Sequence, residues 1–328
     1  MKWMQVTKLA RGRTQLIQDV IDNLEDAGFT LSSQCDVRPS CFDLVARRGN
    51  ELVLVKILNN IDGLNRNDAF ALQTVAHFFN ATPIVVGQKT RRGELDSGVV
   101  YKRYGVTTIT PTSLNEIIAE QKLPREFIQR GGRFVAIDGA KLRECRETQS
   151  MTKEELASHI EVSTRAILAY EKDEMDLSAD VAEQLEKVLE TDLIIPIDVL
   201  SGHQQTKSLT QIRTHDDIPN LEKRVNQFFE RLGMNVLWTD RAPFHLAAKE
   251  EGPPLMSGVG SLESWGLQKR MKILKSVSNV TESNAVIIVE EGKVDENVSD
   301  LPVIRQLELD SIEKTRDLKN IIKERSCN

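Results

Sequence analysis

The chain has 328 residues, with 43 Lys and Arg against 49 Asp and Glu, which gives a net charge of −6. This length allows two or three domains of about 100–200 residues each, and 40% hydrophobic with 28% charged residues is typical of folded globular proteins. The apolar runs are far shorter than the roughly 20 residues of a membrane span, and the N-terminus lacks an apolar secretory signal. We therefore expect a cytoplasmic protein with no membrane partner.

The four cysteines have no CxxC or other metal-ligand spacing, so we expect reduced thiols and no metal or other cofactor; they are Cys35, Cys41, Cys145 and Cys327. The net negative charge argues against a non-specific nucleic-acid coat, since such affinity comes from Lys and Arg on phosphates. However, residues 1–137 carry 18 basic and 14 acidic residues, whereas 138–190 carry 7 and 14. The basic residues of the first segment include Lys2, Lys8, Arg11, Arg13, Arg47, Arg48, Arg91, Arg92, Lys102, Arg103, Arg130 and Arg133.

The first segment has the pattern of an α/β domain with the element order α-β-β-β-α-β-β-α. Its first helix has apolar residues at helical spacing and ends at Gly28, and two strands, 42–47 and 52–58, are joined by a turn at 48–51. A helix over 67–79, strands at 83–87 and 106–109, and a closing helix capped by Thr112 or Ser113 complete the pattern.

Two interruptions suggest domain boundaries. The stretch 129–132, with paired glycines, is expected to be a linker, and a polar run with Pro196 and Gly202 interrupts the pattern over 195–214. We expect domains at 1–130, 131–195 and 196–328.

The last segment repeats the first. Apolar residues of the first helix recur 205 residues later, Phe244-His245-Leu246 follows Phe42-Asp43-Leu44 by 202, and the strand at 287–289 follows that at 84–86 by 203. The closing helix recurs at an offset of 204. This regular spacing favours a duplicated α/β domain over two unrelated α/β modules.

The central segment predicts short amphipathic helices. Thr152 with Glu155 forms a capping box, and Ser163 caps the next helix, which directs Ile167 and Tyr170 inward. Two such helices with a tight connection predict a helix-turn-helix. The outward residues are Thr164, Arg165, Leu168 and Ala169.

Residues 142–171 resemble the Cro/CI-type helix-turn-helix of microbial repressors, with Leu156-Ala157, Ile167 and Glu171 in register. The resemblance implies that the second helix, about 164–171, enters the major groove, where Arg165 could pair with guanine. Glu161 stands where that family usually has Gly, so the turn is expected to differ slightly. The DNA-contacting residues implied are Thr152, Lys153, Ser163, Thr164, Arg165, Ala169 and Lys172.

The first segment resembles the core of restriction-endonuclease-like enzymes, also called PD-(D/E)xK enzymes, and of archaeal Holliday-junction resolvases. The resemblance rests on Asp43, Lys56 and a following helix with Gln73. Those enzymes hold a divalent metal with the Asp and an acid two residues before the Lys, a position occupied here by Leu54. Glu51 or Asp68 could serve as a displaced acid, but we favour a vestigial site in which Asp43 and Lys56 form a structural ion pair.

The second copy retains less of this motif. The Asp position is His245, no Lys corresponds to Lys56, and the glycine-rich stretch 257–260 is a weak nucleotide-binding signal. The three-part order resembles a family of archaeal helix-turn-helix transcriptional regulators. The expected fold class is α/β plus all-α, a duplicated restriction-endonuclease-like domain flanking a Cro/CI-type bundle.

We therefore expect a non-enzymatic, sequence-specific regulator that binds double-stranded DNA, acting as a homodimer on two half-sites. One alternative is a metal-dependent nuclease or resolvase targeted by the helix-turn-helix. Another is a coactivator whose acidic central domain contacts the basal transcription machinery. The alternative to DNA binding for that domain is a helical bundle used only for protein contacts, which the acidic residues Asp173, Glu174 and Asp176 would suit, but we favour DNA binding.

Overall fold

The computed structural model describes residues 2–200, 220–290 and 294–326, with side chains from residue 12 onward. Cys327, residues 201–214 of the expected second boundary, and the side chains of Lys2, Lys8 and Arg11 lie outside the described residues. Two compact units draw on several stretches of the chain. The first comprises 1–23, 59–62 and 85–199, and the second comprises 24–58, 63–84 and 200–328.

The predicted elements of the first α/β domain are present, with one additional strand, β5. In chain order they are α1 (Lys2–Asp26), β1 (Thr30–Leu31), β2 (Leu44–Arg48), β3 (Glu51–Asn60), α2 (Arg66–Phe79), β4 (Thr82–Lys89), β5 (Val99–Arg103), β6 (Val106–Ile109) and α3 (Pro111–Ala119). Gly28, with φ +82°, follows the end of α1 as expected.

The cap predicted for α3 is wrong. The helix begins at Pro111, and the side chain of Thr110 accepts a hydrogen bond from the backbone N–H of Ser113. Proline suits the first helical position because its missing N–H would have no partner there. Thr112 and Ser113 therefore lie inside the helix.

The linker predicted at 129–132 is also wrong. Strands β7 (Glu126–Gln129) and β8 (Gly132–Val135) pair antiparallel, with Gln129 opposite Gly132 across the turn. β7 pairs parallel with β5, and β8 pairs with β9 (Leu177–Ser178). The paired glycines thus belong to a hairpin, where their φ values of +114° and +148° suit residues without a Cβ.

The central segment folds into short helices around its own core. They are α4 (Gly139–Thr148), α5 (Lys153–His159), α6 (Thr164–Tyr170) and α7 (Ala179–Leu189). The buried side chains that hold them together include Leu142, Leu156, Ala157, Ile160, Ile167, Tyr170, Leu185 and Leu189.

The last segment repeats the α/β pattern. Its elements are α8 (Asn220–Arg231), β10 (Asn235–Trp238), β11 (Leu246–Lys249), β12 (Leu255–Val259), α9 (Trp265–Thr281), β13 (Ala285–Val289), β14 (Asn297–Val298), β15 (Leu301–Arg305) and α10 (Thr315–Ser326). Among the helices that the structure describes, none is both long and apolar enough to cross a membrane.

The strand order of the two sheets confirms the duplication. The first sheet has the order β1-β2-β3-β4-β6-β5-β7-β8-β9, and the second has β10-β11-β12-β13-β15-β14. The second sheet therefore repeats the first six strands of the first. The pairing register is also the same in the two sheets. Leu44 lies opposite Val55 in the first sheet, and the residues 202 positions later, Leu246 and Ser257, lie opposite each other in the second.

In the second unit, the two copies contact each other reciprocally. Arg47 on β2 pairs with Glu282 at the end of α9, at 2.7 Å, and donates to the carbonyl of Thr281. Lys249 on β11, 202 residues after Arg47, donates to the carbonyl of Phe78 at the end of α2, at 2.7 Å. Each strand cation thus meets the negative end of the helix in the other copy, as in a two-fold symmetric dimer.

Cys35 and Cys41 are buried free thiols, and Cys145 is a half-buried one. Burial is the main cause that raises the pKa of both Cys35 and Cys41 above the ordinary thiol value. A buried thiol with a raised pKa is a poor nucleophile and a poor metal ligand.

Candidate functional site

The two helices of the helix-turn-helix begin where the sequence predicts. The hydroxyl of Thr152 accepts from the backbone N–H of Glu155 at 3.1 Å, and the Glu155 carboxylate accepts from the N–H of Thr152 at 2.7 Å. The hydroxyl of Ser163 accepts from the N–H of Ala166 at 3.2 Å. The capping box and the second cap are confirmed, and each replaces a hydrogen bond that the helix start lacks.

The turn between the helices keeps the left-handed geometry despite Glu161. This residue has φ +54°, and the next N–H, of Val162, bonds to the carbonyl of Ala157 at 3.0 Å. Glu161 thus takes the left-handed conformation that glycine favours, and a slight difference from the family's turn stays a prediction. Glutamate adopts the conformation at a cost of roughly 1 kcal/mol.

A close backbone contact fixes the end of α6 against the start of α4. A Cβ on Gly139 would collide with the carbonyl oxygen of Tyr170 and lie 2.9 Å from the carbonyl carbon of Glu171. The N–H of Gly139 also donates to the carboxylate of Asp173 at 3.0 Å. Asp173 therefore has a structural role at the end of the second helix.

A buried ion pair connects α4 with the end of α6. Arg146 Nε lies 2.6 Å from Glu171 Oε1, both side chains are at most 7% exposed, and Arg146 also donates to the carbonyl of Met151 at 2.8 Å. Lys153 Nζ lies 3.6 Å from the second oxygen of Glu171. The sequence marks Glu171 as a motif residue, but its pairing with Arg146 is a tertiary contact that helical spacing does not reveal.

Two exposed cations available to a ligand lie on α6 and just after its last residue. Arg165 and Lys172 are exposed, whereas Thr164 and Ala169 are half-buried and Ile167 and Tyr170 face the core. Within the described ranges, no carboxylate forms an ion pair with Arg165 or Lys172. Of the other residues implied in DNA contact, Thr152 and Ser163 use their hydroxyls as caps, and Lys153 lies beside Glu171.

At the nuclease-like position, Asp43 and Lys56 are held by ion pairs and hydrogen bonds within the protein. Asp43 is fully buried, Lys56 Nζ lies 3.5 Å from Asp43 Oδ2, and Arg38 lies 3.3 Å from Asp43 Oδ1. Asp43 Oδ2 also accepts from the N–H of Ile57 at 2.8 Å, and Lys56 donates to the carbonyl of Ser40 at 2.7 Å. Both carboxylate oxygens therefore have protein partners in the arrangement of a structural ion pair.

The two acidic residues that could replace the missing metal-binding carboxylate each pair with an arginine. Leu54, at the acid position, is buried. Glu51 pairs with Arg48 at 2.9 Å, and Asp68 pairs with Arg241. Among the described residues, no group of three or more His, Cys, Asp or Glu side chains could hold a metal ion.

In the second copy the corresponding position is neutral. His245 Nδ1 accepts from the N–H of Val259 at 2.9 Å, which is the bond that Asp43 makes to Ile57, 202 residues earlier. The glycine-rich stretch 257–260 has a packing role, because a Cβ on Gly258 would lie 2.8 Å from Ile287 Cδ1 and 3.0 Å from Leu267 Cδ1. Gly258 thus lets α9 approach β12 closely.

Comparison with known proteins finds both domain types. Residues 13–124 match the PD-(D/E)XK superfamily domain, and residues 142–194 match the helix-turn-helix domain. No solved structure gives a significant match.

Similar proteins occur in several archaea. A protein of Methanococcoides burtonii is 36% identical over 95% of this chain and 97% of its own length. Proteins of Haloarcula marismortui and Pyrococcus furiosus are each 35% identical over 95% of this chain, and over 97% and 98% of their own lengths. All three are named "Putative HTH-type transcriptional regulatory protein". By this similarity over nearly its whole length, the chain belongs to the family of archaeal HTH-type transcriptional regulatory proteins.

Proposed function

We propose that the protein is a sequence-specific DNA-binding transcriptional regulator that reads the major groove with α6, residues 164–171. The observation that carries the proposal is Arg165, which is exposed and has no ion-pair partner among the described residues, on the helix that the buried Ile167 and Tyr170 orient. A guanidinium in that position can bond bidentately to guanine. Thr164 and Ala169 would lie beside it at the bases, and Thr152, Lys153, Ser163 and Lys172 near the phosphates.

We propose further that the protein acts as a homodimer in the cytoplasm, where archaeal DNA lies. A helix of seven residues offers few base contacts, so two copies on half-sites about 34–36 Å apart would supply the needed affinity. The reciprocal contacts of Arg47 with the end of α9 and of Lys249 with the end of α2 are made within one chain, which leaves another surface to join two chains. Sedimentation of the protein with and without its DNA site measures this stoichiometry.

The test of the DNA reader compares two arginines after a binding site has been selected from random duplexes. Arg165→Ala should lose about 5- to 150-fold of the preference for that site over unrelated DNA, since one bidentate base contact supplies that discrimination. Arg143→Ala is the control, because Arg143 is exposed on α4 and pairs with Glu147 at 2.9 Å. Unchanged preference in Arg165→Ala, with the circular dichroism of the wild type, contradicts the assignment of α6.

A second candidate function is a metal-dependent DNA nuclease, which the match to the PD-(D/E)XK domain favours. The buried Leu54 and the filled oxygens of Asp43 oppose it. Incubation with linear and branched DNA in Mg²⁺ or Mn²⁺ decides between them. Cleavage that disappears in Asp43→Ala would establish the nuclease.

A further inference from the structure

The outer face of α6 contains an exposed leucine. Leu168 is 41% exposed, whereas its neighbour Ile167 is fully buried in the core of the helix-turn-helix. Arg165 is exposed three residues before Leu168 on the same helix, and Lys172 is exposed two residues after the last residue of α6; we call these three side chains the α6 stripe. An apolar side chain thus lies, along the chain, between two cations that form no ion pair with any part of the protein that the structure describes.

The spacing of the α6 stripe matches adjacent base pairs. Leu168 follows Arg165 by three residues, which is about 4.5 Å along the helix axis, and successive base pairs are about 3.4 Å apart. With α6 aligned along the groove and Arg165 at a guanine, Leu168 would lie over the next base pair or the one after it. Leucine has no group that donates or accepts a hydrogen bond, so it cannot read a base edge in the way that Arg165 does.

The major groove offers leucine one apolar target, the C5-methyl group of thymine. We propose that Leu168 is a specificity-determining residue that packs on a thymine methyl beside the guanine read by Arg165. The proposal rests on the proposed function. It predicts a half-site in which guanine and thymine lie within two base pairs of each other.

Deoxyuridine tests the proposal, because it differs from thymidine only by the missing methyl group. In the selected site, each thymine is replaced by uracil in turn, and affinity is measured by fluorescence anisotropy at fixed salt. One replacement next to the guanine should weaken binding of the wild type by about four-fold, the value of one buried methyl-sized group. Leu168→Ala should bind the thymine and uracil duplexes equally.

Two control variants separate the possible results. Met175→Ala removes the other exposed apolar side chain near α6, which is 43% exposed, and should keep the thymine preference of the wild type. Arg165→Ala should lose the guanine preference and keep the thymine preference. Melting temperatures like that of the wild type confirm that the exposed substitutions leave the fold intact.

The inference is overturned if no uracil replacement weakens wild-type binding, or if Leu168→Ala still distinguishes thymine from uracil. It is also overturned if Leu168→Ala changes only the sedimentation of the protein, because Leu168 is then a protein contact. If Arg165→Ala loses the guanine preference, the proposed function holds even when one of these three results overturns the inference about Leu168. Retention of all preferences in both variants overturns the proposed function as well.

Discussion

The two α/β copies use different side chains to accept the same backbone hydrogen bond. In the first copy, Asp43 accepts from the N–H of Ile57 at 2.8 Å, and in the second, His245 Nδ1 accepts from the N–H of Val259 at 2.9 Å. The backbone bonds beside them also agree, since the N–H of Asp43 reaches Val55 and that of His245 reaches Ser257. The fold therefore requires an acceptor at this position, and the acceptor need not be a carboxylate.

The two copies also differ at the position that pairs with this acceptor, which is Lys56 in the first copy and Gly258 in the second. Asp43 is fully buried and needs a cation, which Lys56 supplies at 3.5 Å. A histidine that accepts at Nδ1 is neutral with its proton on Nε2, so it needs no such partner. Gly258 at the position of Lys56 then allows Ile287 and Leu267 to fill the space. Charge pairing stabilises one copy, and close packing stabilises the other.

Of the substitutions that test this difference between the copies, the removal of Lys56 should change the free energy of unfolding most. Lys56→Met leaves Asp43 buried beside Arg38, whose side chain is 46% exposed, and should lower the free energy of unfolding by about 3 kcal/mol. The measurement is urea denaturation. The double variant Asp43→Asn, Lys56→Met removes both charges and should recover most of the loss. A double variant as unstable as Lys56→Met would show that charge pairing is not the cause.

Removal of the histidine acceptor should have an intermediate effect. His245→Leu leaves the buried N–H of Val259 without this partner and should cost about 1.5 kcal/mol in the same assay. His245→Asn is the matched control, because Asp43 shows that a side chain of that length reaches the equivalent N–H. Equal losses in the two variants would mean that imidazole packing, rather than hydrogen bonding, is what the second copy needs.

A methyl group at Gly258 should have the smallest effect. Gly258→Ala pushes on the ends of two flexible side chains, Ile287 and Leu267, and should cost about 1 kcal/mol. Gly266→Ala, where the nearest atom to an added Cβ is Ser264 Oγ at 3.6 Å, should stabilise α9 by about 0.5 kcal/mol. Opposite signs in thermal melts support the packing role of Gly258, and a gain in both variants contradicts it.

Sequence patterns predicted the local features of this protein well. The caps at Thr152 and Ser163 are confirmed because a cap depends on side chains within three residues of the helix start. The duplication was visible because burial on equivalent faces preserves apolar residues at a constant offset. Asp43 and Lys56 were expected to form an ion pair because they lie on neighbouring strands joined by a short turn.

The errors concern features that depend on distant partners or on the choice between similar turns. The glycine pair at 131–132 suits a linker and a hairpin equally, and only the antiparallel pairing of β7 with β8, which β5 and β9 flank, shows that it is a hairpin. Thr110 was missed as a cap because the helix start was placed after Pro111 instead of at it. The Arg146–Glu171 pair joins residues 25 positions apart, and the contact of Arg47 with Glu282 spans far more.

The reciprocal contact between the copies has a consequence for how the protein can change. In a dimer of identical chains, every substitution appears twice, once on each side of the symmetry axis. Here the two halves are encoded separately, so Arg47 and Lys249 make equivalent contacts with different side chains. One half can exchange a carboxylate for an imidazole while the other keeps it. A substitution in one copy therefore leaves the equivalent contact of the other copy unchanged.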